Sequence, residues 1–312
     1  MKKYIPSQHG LSQSALMRFV ECRKKAKLTI EGWAPLVEKH AFVMGSLWHS
    51  CMEKLHQLKE VQSKKVPSVQ SLQNIIKAVL KEYKDEHIEL ADADDIASTE
   101  MDVAICDILL KAYVKRYPKD FTHKTWTGSE TRFEVRDPES NVKLIGYLDN
   151  TYKVGKDHWI METKTKSRIM DTLLDMLHFD FQSFMYMHGY KLTYDVLPKG
   201  VLYNIVRKPQ IQQHSGESLD QYLERLEKDV ESRPDFYFIR YEISIPKEAY
   251  TYWVMNDLRT ILQDYKRWED GNFQETYRNT TQCESKFGSC AFLPICSQGN
   301  YSSFKNTKKE VK

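Results

Sequence analysis

Asp149, Glu162 and Lys164 fall within one short stretch, LIGYLDNTYKVGKDHWIMETKTK, from Leu144 to Lys166. Read as two strands around a tight turn, Gly155 and Lys156 form the two-residue loop, with glycine first as a type II′ hairpin prefers. Val154 then opposes Asp157, and counting outward sets Asp149 opposite Glu162 and Lys164 opposite Tyr147. Opposed residues have Cβ atoms roughly 4.5–5.5 Å apart, and like charges there repel. Glu162 and Lys164, two apart, share a face. Two carboxylates so placed call for a cation, and hard divalent ions such as Mg²⁺ or Mn²⁺ take carboxylate, carbonyl and water ligands. Such an ion polarises a phosphoryl oxygen and acidifies bound water. The bland alternative is a surface hairpin with scattered charges.

The elements that must position these groups follow the hydrophobic pattern. Ser12 or Ser14 caps a helix expected to reach Leu28. A second helix is expected over Val37–Lys59, carrying Gly45, Trp48, His49, Cys51 and Glu53. Glycine inside a helix costs about 1 kcal/mol relative to alanine, so Gly45 points to a close approach. His49 and Glu53 share a face. Two more helices are expected over Ser68–Leu90 and Ala97–Tyr117, joined by an acidic linker from Asp92 to Asp95 that lacks the glycine and closing glutamate of an EF-hand.

The pattern then switches to strands. Thr127–Arg136 alternates and ends in a turn, Asp137-Pro138-Glu139-Ser140; the central hairpin follows. A helix is expected over Asp171–Tyr190, with Gln182 and Tyr186 on one face. Val201–Val206 reads as a strand, Leu219–Val230 as a helix, Phe236–Ile245 as a strand and Pro246–Trp268 as a long helix. Strands in this order among helices make an α/β fold with a mixed sheet.

Three of six cysteines, Cys283, Cys290 and Cys296, fall near the C-terminal end in a stretch with no clear periodicity. In a reducing compartment such clustering favours metal over disulfides. A fourth ligand is needed, and Cys22 is the best placed by elimination, because Cys51 and Cys106 sit in helical patterns. Three unligated thiols in a loop is the alternative.

The 312 residues are 41% apolar and 29% charged, a globular composition, and the net charge of +3 does not announce a nucleic-acid binder. Local basic runs occur at Arg23–Lys27 and Lys305–Lys312. No apolar run suits a membrane span, and MKKYIPSQHG is not followed by the apolar region of a secretory signal, so a cytoplasmic location is expected. No Gly-x-x-x-x-Gly-Lys-Ser/Thr sequence is present, so no ATPase motor is expected in this chain.

The chain resembles the PD-(D/E)xK nuclease superfamily in its RecB-like branch. More narrowly it is similar to the iron–sulfur members, which include CRISPR-adaptation nucleases, nuclease domains of recombinational repair enzymes and phage exonucleases. Gly45-Ser-Leu-Trp-His49 matches the helical glycine–histidine motif and Glu130-Thr-Arg-Phe133 the glutamate-bearing strand. Gly146-Tyr-Leu-Asp149 matches the metal-binding aspartate strand, Glu162-Thr-Lys164-Thr165 the (D/E)xK element and Gln182-Ser-Phe-Met-Tyr186 the glutamine–tyrosine helix. Cys22 with Cys283, Cys290 and Cys296 matches the split cluster. Six residues separate Cys283 from Cys290, where two are commoner in that trio, and Glu162 stands where many relatives have aspartate.

The resemblance implies one restriction-endonuclease-like domain over 1–312, with a helical part at 37–120, a catalytic core at 127–206 and a cluster-binding segment at 283–296. It implies a DNA exonuclease in which Asp149, Glu162 and Lys164 are catalytic. His49, Asp149, Glu162 and the Thr163 carbonyl would hold Mg²⁺ or Mn²⁺. Glu130, Gln182 and Tyr186 would position DNA, and the cysteines would hold a [4Fe–4S] cluster or, alternatively, Zn²⁺. The expected partners are DNA ends, single- or double-stranded, and a helicase or recombination or replication protein, in a bacterium or phage-infected cell. The rival readings are a DNA-binding or scaffolding protein that does not cut, and a structural zinc protein.

Overall fold

Alternating strand residues and periodic helical ones assemble around one five-stranded sheet in the computed structural model, which describes residues 6–36, 43–87, 93–285 and 288–307. The first helices are α1 (Gln13–Glu21) and α2 (Arg23–Ile30), followed by a short strand β1 (Trp33–Pro35). Three long helices come next, α3 (Val43–Gln57), α4 (Val69–His87) and α5 (Ala93–Arg116), then the short α6 (Pro118–Thr122). The sheet strands are β2 (Thr125–Arg136), β3 (Lys143–Val154), β4 (Asp157–Lys166), β5 (Gly200–Arg207) and β6 (Phe238–Ser244). Helix α7 (Phe181–Tyr194) links β4 to β5, and α8 (Leu219–Ser232) links β5 to β6. Helices α9 (Lys247–Tyr252) and α10 (Arg259–Asp270) and a last strand β7 (Phe304–Asn306) complete the set used below.

The strands lie in the order β2-β3-β4-β5-β6. All neighbours are antiparallel except β4 and β5, whose parallel pairing requires the α7 crossover. One apolar core joins the sheet to α3, α4, α5 and α8 through Trp48, Leu109, Tyr152 and Leu226. A second joins it to α1, α7 and α10 through Phe19, Phe133, Met187 and Leu262. Strand β5, buried along almost its whole length, is apolar nearly throughout for this reason. The expected α/β fold with a mixed sheet flanked by helices is therefore the observed one.

Several boundaries differ. The helix expected to run unbroken to Leu28 stops at Cys22, which has extended dihedrals (φ −164°, ψ 111°), and restarts at Arg23. Ser12 is the cap, accepting the Ala15 N–H at 3.2 Å. The first residues of the second expected helix, 37–42, lie outside the described residues. The acidic linker is largely helical, since α5 begins at Ala93; Asp92 lies outside the described residues.

The helix expected over Asp171–Tyr190 is two, Leu173–Leu177 and α7, because Asp180 caps α7 by accepting the Ser183 N–H at 2.8 Å. The long C-terminal helix carries a π-helical stretch, Trp253–Leu258, between α9 and α10. At the hairpin, Gly155 has φ +59° and Val154 opposes Asp157 as expected. The β3–β4 ladder ends at Asn150 and Met161, however. Beyond that the strands part, and Lys164 pairs with Ile205 of β5 rather than with Tyr147.

Candidate metal and nuclease site

The catalytic candidates gather where β3 and β4 diverge. A backbone N–H that loses its ladder partner inside a protein must find another. That of Thr163 donates to Asp149 Oδ2 at 2.8 Å, so the aspartate side chain replaces the missing strand. Glu162 and Lys164 share a face as expected: Lys164 Nζ lies 2.5 Å from Glu162 Oε1, and Gln182 from α7 joins both. Its Nε2 donates to Glu162 Oε1 at 2.8 Å and lies 2.9 Å from Tyr186 Oη, while its Oε1 accepts from Lys164 Nζ at 3.0 Å.

Helix α3 brings His49 to the same place. The close approach implied by Gly45 is to β4, where a Cβ on Gly45 would stand 3.2 Å from Thr165 Oγ1. His49 Nδ1 lies 3.6 Å from Asp149 Oδ2 and 3.9 Å from Glu130 Oε1. These gaps exceed hydrogen-bond length. They match ligands on one ion, since Mg²⁺–oxygen bonds of about 2.1 Å put ligand atoms ~3–4 Å apart. Donor atoms of His49, Glu130 and Asp149 all lie within 4.8 Å of one another.

Glu130, expected to position DNA, also stands among the ligand candidates. Its backbone is left-handed at φ +45°, which is rare for a residue other than glycine and concentrates at functional sites. Nothing in the sequence around Glu130 signals that conformation.

The electrostatics fit a cation as well. Burial raises Glu162 to about 7, and Asp149 pushes the same way against Lys164. Asp149 is raised to about 7 by burial and by Glu130, against the Thr163 N–H and Lys164. Burial, then Glu53 and Glu162, raise Glu130 to about 7. Burial lowers His49, with Lys164 adding to the effect and Glu162 opposing it, which leaves a neutral imidazole able to ligate. Lys164 is raised: burial works against its charge, but Glu162 outweighs it. The most direct sign is Glu162 Oε2, buried with no hydrogen-bond partner among the described residues. A buried carboxylate oxygen left bare is costly, and a divalent ion would satisfy it.

The four cysteines also converge. Cys22, Cys283, Cys290 and Cys296 line one cavity of about 170 Å³, together with Lys25 and Phe292. Burial raises the Cys296 thiol, and Cys290 and Cys22 push the same way, while Lys24 and Arg278 oppose. No three of the sulfurs close to the roughly 3.8 Å separations of a tetrahedral zinc–thiolate site. Among the described residues the carboxylate–histidine set is the group that meets a 4.8 Å limit. The chain's two ends are tied together around this cavity. Strand β1 pairs with β7, Asn279 Nδ2 donates to the Glu21 carbonyl at 2.9 Å, and Arg23 meets Asp264 at 2.6 Å.

The family model of the PD-(D/E)XK nuclease superfamily matches residues 10–297, most of the chain and all of the site. The chain belongs to this superfamily. No curated protein matches it. Membership supports a metal-dependent nuclease, and the match spans the stretch that carries Asp149, Glu162 and Lys164. No described helix is long and apolar enough to cross a membrane.

Sequence reasoning missed one feature of the site. Asn204, Arg240 and Asp120 form a buried polar row leading to Thr163. No motif marks them.

Proposed function

We propose that this chain is a DNA exonuclease of the RecB-like branch that uses Mg²⁺ or Mn²⁺. The observation that carries the metal reading is the buried Glu162 Oε2 with no hydrogen-bond partner among the described residues, together with the His49–Glu130–Asp149 donor set. His49, Asp149, Glu162 and the Thr163 carbonyl are the ligands, and Glu130 joins them. When bound there, the ion supplies Lewis-acid polarisation of the scissile phosphate and acidifies a water.

The chain's own residues do the rest. Lys164, kept protonated by Glu162, stabilises charge that develops on the phosphoryl oxygens or orients the attacking water. Gln182 holds Lys164 and Glu162 through one amide, and Tyr186 holds Gln182. Burial excludes competing water from Glu162, so the carboxylate works in a low dielectric. Specific action at DNA ends rests on the resemblance. The test is to offer end-labelled linear DNA and covalently closed circular DNA with Mn²⁺. Degradation of the linear form alone supports an exonuclease; relaxation and nicking of the circle would make the chain an endonuclease.

The four cysteines are proposed to hold a [4Fe–4S] cluster. Support comes from their convergence on one cavity and from the resemblance of the split arrangement, one cysteine near the N-terminal helices and three in the C-terminal segment. The cluster would fasten the N-terminal helices to the C-terminal segment and be structural. Iron content and visible absorbance of anaerobically purified protein test it, and zinc in place of iron would overturn it. Any unwinding of duplex DNA is assigned to a helicase or recombination partner, and the cytoplasm remains the expected location.

A further inference from the structure

A row of polar side chains crosses the middle of the sheet beneath the site. Thr163 of β4 is in register with Asn204 of β5, and Asn204 with Arg240 of β6. Asn204 is 1% exposed and interrupts the apolar run of β5. Burying an amide in that position costs about 1–3 kcal/mol unless it is paired. Asn204 is paired on both sides. Its Nδ2 donates to Thr163 Oγ1 at 3.3 Å, and its Oδ1 accepts from Arg240 Nε at 2.8 Å.

Arg240 is itself locked. It donates to both carboxylate oxygens of Asp120 at 2.6 and 3.1 Å and to Tyr113 Oη at 2.5 Å, and its guanidinium lies 3.3 Å from the Tyr117 ring centroid. Asp120 and Tyr113 belong to α6 and α5, so the row is anchored in the helical layer and ends at Thr163. The Thr163 N–H in turn holds Asp149 Oδ2.

We propose that Asn204 and Arg240 are positioning residues for the Asp149 carboxylate, acting through Thr163. The proposal rests on the metal-site reading for its consequence, but its geometry does not depend on that reading. Thr163 lies past the end of the β3–β4 ladder, so strand pairing to β3 does not fix its amide direction. The Asn204 hydrogen bond fixes the side chain of Thr163 from the other face. The parallel β4–β5 ladder directs the Thr163 N–H toward Asp149, and the Asn204 bond to Oγ1 adds the side-chain restraint that holds the peptide there. A fixed Asp149 keeps its distances to His49 and Glu130, on which ion affinity depends.

The test uses the full chain and two readouts. Asn204→Leu removes both hydrogen bonds at similar volume; Asn204→Asp keeps an acceptor for Arg240 and an oxygen that can accept the Thr163 hydroxyl. Amide hydrogen exchange in metal-free protein reports the Thr163 N–H, and calorimetric titration reports Mn²⁺ binding. In Asn204→Leu the Thr163 amide is expected to exchange at least about tenfold faster while amides of Ile160 and Val201 keep their protection. Mn²⁺ affinity is expected to fall about tenfold. Asn204→Asp is expected to recover most of both.

Wild-type exchange at Thr163 in a folded Asn204→Leu protein would overturn the proposal, as would a loss spread evenly over the sheet. Should the leucine variant not fold, Asn204→Ser carries the same comparison. If wild-type protein binds no Mn²⁺ but Thr163 protection depends on Asn204, the metal reading fails and the positioning role stands. If Mn²⁺ binds and neither readout responds, the positioning role fails alone.

Discussion

Two clusters of buried charge sit on the same sheet and are built oppositely. In the Asp120 cluster the carboxylate is compensated, both of its oxygens being met by Arg240. Burial alone would raise Asp120, yet Arg240 and then Lys124 hold it below the usual carboxylate range. Lys124 adds its own contact to Asp120 at 2.8 Å. In the catalytic cluster Glu130, Asp149 and Glu162 outnumber Lys164, the three carboxylates are raised to about 7, and one oxygen of Glu162 has no partner. A fold gains nothing from an unbalanced carboxylate cluster. The first cluster is charge that the protein's own cations compensate, and the second is a cluster suited to a bound cation.

Breaking the compensated cluster has the largest expected effect on stability at neutral pH. Arg240→Ala takes a shared donor from Asp120, Tyr113 and Asn204 while Lys124 still compensates Asp120, and losing these charge-assisted hydrogen bonds is expected to cost roughly 1.5–3 kcal/mol. Denaturant unfolding checks this; a loss below about 1 kcal/mol would show that Arg240 is not needed to compensate Asp120. The same measurement on metal-free Glu162→Gln sharpens the contrast, because removing a repelling charge there is expected to leave stability unchanged or higher.

The next prediction concerns pH. A carboxyl whose folded pKa is raised from about 4 to about 7 binds its proton more tightly in the native state. The metal-free protein is therefore penalised as pH climbs through that window, with the full penalty above about 7. Mn²⁺ competes with those protons, so its stabilisation is expected to grow with pH. Thermal melts with and without Mn²⁺ should show a larger shift at pH 8 than at pH 5.5. Equal shifts would mean that the raised carboxylates are not the ligands.

The cysteine cavity, lined by Lys25 and Arg278, offers a third test. Cys22→Ala is expected to lose bound iron and visible absorbance together and to melt several degrees lower. Unchanged iron content would remove Cys22 from the ligand set.

The smallest effect at neutral pH is expected at His56, where the imidazole is buried neutral. Burial lowers its pKa to about 4, and Nδ1 donates to the Met52 carbonyl at 2.7 Å. A lowered histidine contributes stability that is complete above about 6.5 and is lost as pH falls toward 4. His56→Gln should reduce that acid-side loss by roughly 2–3 kcal/mol, read from urea unfolding at pH 7 and pH 4.5. An unaltered acid slope would place the titration elsewhere.

Much of the site was legible because local chemistry wrote it. Gly155 set the hairpin, period-2 alternation put Glu162 and Lys164 on one face, and Gly45 announced the approach of α3 to β4. What was not legible depends on pairing between distant segments. The ladder was extended past Asn150 because nothing local shows that β3 and β4 part there. Asn204 reads as an incidental polar residue in VLYNIV until β4 and β6 flank it, and Asp120 meets Arg240 across 120 positions of chain. The left-handed backbone of Glu130 has no signal in a residue type that avoids it. The breaks at Cys22 and Asp180 were missed because both sit in otherwise continuous helical periodicity with no proline or glycine to mark them.

The central claim is that Asp149, Glu162 and Lys164 act as one metal-dependent phosphodiesterase centre. The most direct measurement is the cleavage of end-labelled single- and double-stranded DNA with Mn²⁺ or Mg²⁺ by wild-type protein, and by Glu162→Ala protein shown by its thermal melt to be folded. Loss of a metal-dependent activity by about 10³-fold or more in the variant is the predicted result. Cleavage by the variant at the wild-type rate, or cleavage by wild type that chelation does not stop, would contradict it.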